Sequence, residues 1–464
     1  MEWIQVGNAP YFQTETGRAW TPIGHNDAIT WPSLANCYRR RDLPAVNAHL
    51  RMLASCGVTV LRLMLEYSHK EHRYLEKPVG EFRPSMVSMW DDLFELCEKH
   101  GIRILLTPFD TFWMWQRWKR HPYNRANGGP CPGIPDVLLH RETRAAIKRR
   151  LEFATSRWGG SGTLFAWDIW NEIHPAWANN SSEPMYEFIE DLSTFLRHTE
   201  ERLYGRSHPQ TVSIFGPLIC TDRRAAAIVL KHPCLDFAST HFYEEGTIDD
   251  PQNTVDAAVS TGAIMRSMLS QMPPKRPFFD SESGPIHTYK DHHRTLPESF
   301  DDEYFRHMQW AHLASGGAGG GMRWPNRKPH ILTNGMHKAQ SSLRTFVDSV
   351  DWGRFERSNW NAEAHVSDPS VKLFACGDGR QAIIWLFRGD SLGSDGKLRT
   401  DAAPLSPVVS LPCMAAGCYI VTAWDTDKGA EVANFVVHHP VDGPMNLQSP
   451  PLARDLAFAI RRRK

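Results

Sequence analysis

Short apolar segments alternate with amphipathic helical segments eight times over roughly the first 350 residues, and this repeat limits the folds open to the chain. The strand candidates lie at residues 21–24, 59–65, 102–107, 164–170, 211–215, 237–241, 277–280 and 319–323. Eight strand–helix units are typical of a (β/α)8 TIM barrel. A doubly wound sheet is the alternative, but it would need a glycine-rich nucleotide-binding loop, which the sequence lacks.

The pattern changes after about residue 355, where short strand candidates follow one another with no helical segment between them. They lie at 370–375, 381–387, 408–411, 417–422 and 432–437, separated by Gly, Asp and Pro turns. This spacing predicts a β-sandwich. We therefore expect an α/β chain with a barrel domain over residues 1–352 and a C-terminal β-sandwich domain over residues 353–464. We expect the basic segment 461–464 to be a frayed, solvated tail.

Charge and composition exclude several classes of partner. Lys and Arg number 52 and Asp and Glu number 52, so the formal charge is zero and nucleic acid is not an expected partner. No apolar run reaches the ~20 residues that a membrane helix needs. The nine cysteines are scattered without CxxC spacing, and residues 1–7 have neither a basic start nor an apolar core. These features predict a cytoplasmic protein.

Two glutamates end strand candidates at the face where barrel enzymes place their catalytic groups. Glu172 closes the segment Phe-Ala-Trp-Asp-Ile-Trp-Asn-Glu, and Glu282 closes Pro-Phe-Phe-Asp-Ser-Glu. A pair of carboxyls across a barrel mouth is the apparatus of glycoside hydrolysis, in which one protonates the leaving oxygen and the other is ionised. The sequence thus predicts a retaining β-glycosidase whose two carboxyls lie about 5–5.5 Å apart.

The ordered motifs at successive strand ends resemble clan A glycoside hydrolases, and most closely glycoside hydrolase family 5. Trp-Asn-Glu at 170–172 is similar to the Asn-Glu pair of that family, which implies that Asn171 contacts a sugar 2-hydroxyl and that Glu172 is the acid/base. Ser-Glu-Ser-Gly at 281–284 resembles the Glu-x-Gly of the seventh strand, which implies Glu282 as nucleophile.

The same resemblance implies supporting roles for residues at other strand ends. Arg62 would support the nucleophile, His241 would orient the acid/base and Tyr243 would donate a hydrogen bond to the nucleophile. Trp324 would form the floor of the −1 subsite. One position departs from the family, which commonly has histidine at the end of the third strand where this chain has Asp110. Either Asp110 replaces it in contacting the sugar, or the −1 subsite is arranged differently from that of the family.

A long aromatic loop follows the third strand and includes Trp113 within Thr-Phe-Trp-Met-Trp-Gln-Arg-Trp at 111–118. Long loops at this face shape the binding site, and aromatic rings suit the apolar faces of sugars. This loop resembles the intracellular exo-β-mannosidase branch of the family, which implies action on short β-mannosides such as mannosyl-β-1,4-N-acetylglucosamine. An endo-β-mannanase or a cellulase-type endoglycanase is the alternative.

Two other classes compete with these enzymes. A non-catalytic carbohydrate-binding protein would keep the aromatic floor without needing paired carboxylates. A metal-dependent hydrolase could use the clusters His69–His72 or Asp291–His293, but the chain has no His-Glu-x-x-His helix. We therefore expect no metal and no cofactor. The expected partner is an oligosaccharide substrate, and a homo-oligomer is compatible with the sequence.

Overall fold

The computed structural model describes residues 1–66, 74–286 and 295–463, and its first large unit is a barrel. In chain order the first twelve strands are β1 (Ile4–Val6), β2 (Phe12–Thr14), β3 (Ala19–Trp20), β4 (Gly24–Asp27), β5 (Val60–Met64), β6 (Arg103–Thr107), β7 (Leu164–Asp168), β8 (Gln210–Thr211), β9 (Ser213–Phe215), β10 (Ala238–Phe242), β11 (Phe278–Ser283) and β12 (Met322–Arg323). The helices are α1 (Ala35–Arg39), α2 (Leu43–Ser55), α3 (Pro84–His100), α4 (Thr111–Arg117), α5 (Arg141–Trp158), α6 (Glu183–Tyr204), α7 (Gly216–Thr221), α8 (Arg223–Lys231), α9 (Thr254–Gln271), α10 (Glu298–Ala314) and α11 (Asn334–Phe346).

The nine strands β4–β12 form one parallel sheet in the order β8-β7-β6-β5-β4-β12-β11-β10-β9. Because β8 and β9 flank the single residue Val212, they are two halves of one barrel strand, and they join the two ends of the sheet into a ring. The ring therefore has eight strand positions with helices outside it. This confirms the (β/α)8 barrel.

The barrel strands are buried along their whole length, as expected where helices cover the outside and side chains fill the inside. All five residues of β5, Val-Leu-Arg-Leu-Met, are buried. Such strands read as nearly continuous apolar runs. The polar residues inside them therefore stand out, and most of those discussed below belong to the site at the carboxyl ends.

A small antiparallel sheet, β1-β2-β3, covers the amino-terminal end of the barrel, and the sequence analysis did not predict it. Phe12 on β2 packs edge-on against three phenylalanines of the barrel, with ring centroids 4.9 Å from Phe165, 5.3 Å from Phe237 and 6.2 Å from Phe279. Edge-to-face contact is the favoured geometry for such aromatic pairs. The small sheet thus closes the end of the barrel opposite to the site.

The remaining strands form two antiparallel sheets. They are β13 (Ser358–Asn359), β14 (His365–Val366), β15 (Val371–Gly377), β16 (Gln381–Arg388), β17 (Val408–Met414), β18 (Gly417–Asp425), β19 (Ala430–His439), β20 (Gly443–Gln448) and β21 (Asp455–Arg462). Six of them pair in the order β13-β15-β16-β21-β18-β19, and β14, β17 and β20 form the second sheet. A shared core of residues from both sheets lies between them, which confirms the predicted β-sandwich.

The six-stranded sheet is also covered on its other face, where it packs against the barrel. Trp385 and Phe387 of β16 belong to one apolar cluster with Trp310 of α10 and Phe346 of α11. Every residue of β16 is consequently buried, although a two-sheet sandwich alone would leave alternate residues exposed. The boundary of the two domains at residue 352 stays a prediction.

Other expectations have mixed outcomes. The basic end of the chain is not frayed as predicted: Arg461 and Arg462 belong to β21, which pairs with both β16 and β18, although their side chains are exposed. The nine cysteines are free thiols. Within residues 1–66, 74–286 and 295–463, no helix combines the length and apolar character needed to cross a bilayer.

A buried ion pair joins α10 of the barrel to β21 of the sandwich. Arg306 Nη1 donates to both carboxylate oxygens of Asp455, at 2.7 and 2.8 Å, and both side chains are buried. Burial alone would raise the pKa of Asp455, but Arg306 and the other partners hold it well below its usual value. The carboxylate therefore stays ionised in the folded protein, and its removal would leave a buried guanidinium without its partner.

We predict that Asp455→Asn lowers the free energy of unfolding by about 3 kcal/mol at pH 7, because the buried Arg306 would keep only the longer contact with Glu303, at 3.7 Å, as its counter-charge. Urea denaturation followed by circular dichroism measures this change. Asp401→Asn is the matched control, since its pair with Arg399 is exposed to solvent and should contribute little to stability. Equal effects of the two substitutions would contradict the prediction.

Candidate active site

Arg62 on β5 lies at the centre of a buried polar network at the carboxyl end of the barrel. Its guanidinium donates to Asp168 Oδ2 (Nη2, 2.7 Å; Nε, 3.2 Å), to Glu282 Oε2 (Nη1, 3.0 Å) and to Asn26 Oδ1 (Nη1, 2.9 Å). It also donates to Asn171 Oδ1. One side chain thereby connects strands β4, β5, β7 and β11 with the segment that follows β7. Burial lowers the pKa of Arg62, but Asp168 and Glu282 raise it more, so the guanidinium stays charged.

Asp168, the last residue of β7, holds this guanidinium in place. Its Oδ1 accepts from the backbone N–H of Ser213 at 2.9 Å, and its Oδ2 accepts from the Ser213 hydroxyl at 2.9 Å. The carboxylate is thus fixed by the split barrel strand on one side and by Arg62 on the other. An Asp inside the apolar run Phe-Ala-Trp-Asp-Ile-Trp is the signal that could have identified this residue, which the sequence analysis did not single out.

Asp110 serves as a helix cap and as a partner of Asn171. Its carboxylate accepts from the backbone N–H groups of Phe112 (3.2 Å) and Trp113 (2.8 Å), which is an N-cap of α4. It also accepts from Asn171 Nδ2. Burial raises the pKa of Asp110 to about 6, although the Asn171 bond lowers it. The segment 111–117, expected as a loop, is therefore a capped helix.

Glu172 follows with an unusual backbone conformation. Its φ is +51°, a left-handed value that a residue with a Cβ seldom adopts, and its N–H donates to the Ser213 hydroxyl at 3.3 Å. The side chain meets His241 on β10, with Glu172 Oε1 2.7 Å from His241 Nδ1. Burial raises the pKa of Glu172 to about 7 and lowers that of His241 to about 4. Near neutrality the pair thus comprises an uncharged imidazole and a carboxyl group that is about half protonated.

Glu282 on β11 faces Glu172 but has different partners. The Tyr243 hydroxyl donates to Glu282 Oε1 at 2.6 Å, and Arg62 donates to Oε2. Burial and the neighbouring Glu172 raise the pKa of Glu282, whereas His241, Arg62 and Tyr243 lower it. Although its pKa is raised overall, Glu282 has two donors that favour its ionised form, and one of them is a cation. Within residues 1–66, 74–286 and 295–463, no Lys or Arg side chain is hydrogen-bonded to the Glu172 carboxyl.

The two carboxyl groups lie close together. One ligand atom from each of Glu172, Glu282 and His241 can be chosen so that all three lie within 4.8 Å of one another. Arg62 is hydrogen-bonded to one of these carboxylates, and its positive charge opposes binding of a cation there. The other candidate metal clusters, His69–His72 and Asp291–His293, lie outside the residues that the structure describes.

Aromatic side chains form one wall beside the carboxyls. Trp324, directly after β12, packs with Trp31 and Trp113 in one cluster with Ala28 and Met64. The rings of Trp31 and Trp324 meet edge to face with centroids 4.9 Å apart. Trp324 was predicted here and Trp113 was predicted in the loop, whereas Trp31 in the segment after the first barrel strand was missed.

The structure thus brings together all nine residues predicted from the sequence, in two groups. The polar group comprises Arg62, Asp110, Asn171, Glu172, His241, Tyr243 and Glu282, and the aromatic group comprises Trp113 and Trp324. Residues that the sequence analysis missed, chiefly Asn26, Asp168 and Ser213, hold Arg62 rather than face a ligand. The arrangement can present a carboxylate as nucleophile and a carboxyl group as proton donor to the same bound molecule.

The fold is shared with solved glycoside hydrolases at low sequence identity. A glycoside hydrolase family 5 protein from Bacteroides vulgatus superposes with a TM-score of 0.59 at 10% identity, covering 99% of this chain and 94% of that one. A glycoside hydrolase family 5 mannosidase from Rhizomucor miehei gives 0.56 at 14% identity, covering 75% and 99%. The GH5_18 protein from Streptomyces cattleya, in complex with Manb1-4GlcNAc, gives 0.50 at 13% identity, covering 70% and 81%. No protein-family model and no curated protein matches the sequence.

We predict that Glu172→Gln stabilises the protein at pH 8 by roughly 2–3 kcal/mol and has little effect at pH 4. The folded-state pKa of about 7 exceeds the ordinary value of 4.5, so the ionised carboxyl disfavours folding increasingly as the pH rises between these values. Urea denaturation at both pH values measures the difference. Glu183→Gln on the exposed start of α6 is the control and should change stability at neither pH. A destabilised Glu172→Gln at pH 8 would contradict the raised pKa.

Proposed function

We propose that this protein is a retaining β-glycosidase related to glycoside hydrolase family 5. The observation that carries the proposal is the Glu172–Glu282 pair, whose nearest oxygens are separated by no more than 4.8 Å. That closeness is compatible with carboxyl groups about 5–5.5 Å apart, as double displacement requires, and it favours this spacing over the ~6.5–9.5 Å that admits a water between them. A non-catalytic sugar-binding protein would have no use for such a pair.

In the first step, Glu282 attacks the anomeric carbon of the sugar as the bond to the leaving oxygen breaks. Glu172 gives its proton to that oxygen, and a glycosyl ester of Glu282 forms. In the second step, Glu172 takes a proton from water, whose oxygen attacks the anomeric carbon and releases the Glu282 carboxylate. The raised pKa of Glu172 suits this exchange, because a group with a pKa near 7 can give and take a proton near neutral pH.

The remaining residues support these two steps. Arg62 and Tyr243 each donate to one oxygen of Glu282, which fixes the orientation of the nucleophile. His241, uncharged at neutral pH, orients Glu172 through its Nδ1. Asn171 is held by Arg62 and Asp110, and its Nδ2 group retains a hydrogen for a sugar hydroxyl. Because Asp110 binds two backbone N–H groups and Asn171, we assign it to holding Asn171 rather than to contacting sugar directly.

For the substrate we propose a short β-mannoside cleaved from its end, such as mannosyl-β-1,4-N-acetylglucosamine. The capped helix α4 brings Trp113 to the aromatic wall beside the carboxyls, as suits a pocket that takes one terminal sugar. The similarity in fold to mannosidases supports this choice without deciding it. An endo-acting mannanase or cellulase-type enzyme is the second candidate. We also propose a cytoplasmic location and catalysis without a metal.

The first experiment measures hydrolysis of p-nitrophenyl glycosides: β-mannoside, β-glucoside, β-galactoside, β-xyloside and α-mannoside. We expect selective cleavage of the β-mannoside, unchanged by EDTA and reduced at least about 10⁴-fold in kcat by Glu282→Ala, which lacks the nucleophile. Glu201→Ala is the control and should retain full activity, because Glu201 is exposed in the last turn of α6, at the end of the barrel opposite to the carboxyl pair. Activity only on manno-oligosaccharides would favour the endo enzyme, and loss in EDTA would overturn the metal-free mechanism.

The second experiment separates the roles of the two glutamates. Glu172→Ala should lose about 10²–10⁴-fold on an oligosaccharide, whose leaving group needs a proton, and far less in the first step on an activated aryl glycoside. Azide should restore turnover and give a β-glycosyl azide.

In the unmodified enzyme, kcat/KM should fall as the pH rises above about 7, because Glu172 loses its proton. This decline at high pH should be absent in Glu172→Ala on the aryl substrate. Equal loss on every substrate without azide rescue would overturn the assignment.

A further inference from the structure

A second polar cavity lies beside the candidate active site, on the outer side of the first barrel strand. Its volume is about 240 Å³. Successive side chains of a strand point to opposite faces, and Asn26 points into the barrel, where it binds Arg62. Its neighbours His25 and Asp27 therefore point outward, toward α2 and α11. Apolar side chains usually fill this layer of a barrel, whereas here His25, Asp27, His49 and His337 line an open space.

The backbone and one glutamine determine which ring nitrogen of two histidines carries a proton. Gln340 Nε2 donates to the carbonyl oxygen of Gly24 at 3.1 Å, so the orientation of its amide group is fixed. The same Nε2 lies 3.3 Å from His25 Nδ1, which must then accept, and Gln340 Oε1 lies 3.1 Å from His337 Nδ1, which must then donate. Burial lowers the pKa of both imidazoles, so both are neutral.

The role of Nδ1 in each neutral ring consequently determines whether the other nitrogen, Nε2, carries a proton. His25 keeps its proton on Nε2 and offers a donor, whereas His337 offers the lone pair of Nε2 as an acceptor. The two rings are close, with centroids 6.1 Å apart. The cavity thus presents one donor and one acceptor side by side.

Asp27 and His49 provide a second pair of this kind. Asp27 Oδ2 and His49 Nε2 are 3.8 Å apart, which is too long for a direct hydrogen bond, and His49 Nε2 has no hydrogen-bond partner among the described residues. Nε2 of His49 is buried in this position, and a turn of the ring toward the cavity would let one hydroxyl donate to the carboxylate and accept from an Nε2–H group. Met52, Pro325 and Leu332 provide apolar surface around these groups.

We propose that this cavity is a second binding site for a neutral polyhydroxylated ligand, namely a sugar or a small polyol. Each hydroxyl donates one hydrogen bond and accepts others, so two hydroxyls match the two donor–acceptor pairs. A phosphate would face the Asp27 carboxylate and the His337 lone pair, and a metal ion would face the N–H group of His25. The donor set therefore disfavours both. This inference does not depend on the glycosidase proposal.

The site is coupled by contact to the candidate active site. Asn26 lies between the lining residues His25 and Asp27 on β4, and its side chain, on the inner face of the strand, accepts from Arg62, which binds Glu282. His330, another lining residue, stacks on Trp31 with ring centroids 5.0 Å apart, and Trp31 contacts Trp324. A ligand in the cavity would thus touch groups that border both sites.

Nuclear magnetic resonance of the imidazole groups in the full-length protein tests the proposal. We expect the nitrogen shifts at pH 7 to show His25 protonated on Nε2 and His337 on Nδ1. Adding mannose or glycerol up to about 50 mM, a range that reveals millimolar affinity, should move the signals of His25, His49 and His337 together. His49→Leu should weaken binding about tenfold, whereas His49→Gln, which keeps a donor, should stay within about threefold.

The same spectra distinguish failure of this proposal from failure of the proposed function. The signal of His241 reports the candidate active site, so movement of His241 alone would leave the glycosidase proposal standing and overturn the second site. Opposite tautomers of His25 and His337 would overturn the argument from Gln340. Movement of the three cavity signals with phosphate or Zn²⁺ but not with polyols would overturn the ligand class.

Discussion

The buried guanidinium of Arg62 is the interaction on which the rest of the site depends. A charge in the interior is tolerated only where other charges and hydrogen bonds compensate it, and Arg62 meets Asp168, Glu282, Asn26 and Asn171 there. The partners come from β4, from β11, and from β7 with the segment that follows it. The relative positions of those strand ends are therefore constrained by one planar group, and so is the carboxylate proposed as nucleophile.

The two glutamates differ because their neighbours differ, not because of their residue type. Glu282 binds a cation and a phenol, and both favour its ionised form, whereas Glu172 contacts an imidazole that burial keeps neutral. Glu172 also occupies a left-handed backbone conformation that a side chain with a Cβ seldom adopts. Backbone strain and the burial of an ionisable carboxyl both lower the stability of the folded protein. Such unfavourable features are concentrated at functional sites.

The barrel and the positions of the two glutamates at its carboxyl end could be predicted from the sequence because both depend on local patterns. Apolar runs mark the strands, and polar residues directly after them mark the site, as at Asn171, Glu172 and Glu282. Asn26, Asp168 and Ser213, which hold Arg62, could not be predicted in this way. Asp168 lies inside an apolar strand, and its partner Arg62 is distant in sequence, so only the closed ring brings them together.

The same limit explains the other differences between the sequence analysis and the structure. The segment after the third barrel strand was expected to be a loop, yet the carboxylate of Asp110 caps it as the helix α4. The basic residues Arg461 and Arg462 resembled a solvated tail, yet the backbone of β21 pairs on both sides within the large sheet. Charged side chains at the surface do not prevent a segment from being a central strand, because pairing involves only the main chain.

The phenylalanine cap at the far end of the barrel has a consequence for how the chain folds. Phe12 is made early during synthesis, but its partners Phe165, Phe237 and Phe279 follow more than 150 residues later. Contacts so distant along the chain form slowly, because a long loop must close before they stabilise anything. The small amino-terminal sheet must therefore wait, with its apolar face exposed, until most of the barrel has been synthesised. Chaperones or rapid barrel assembly would protect this face during that interval.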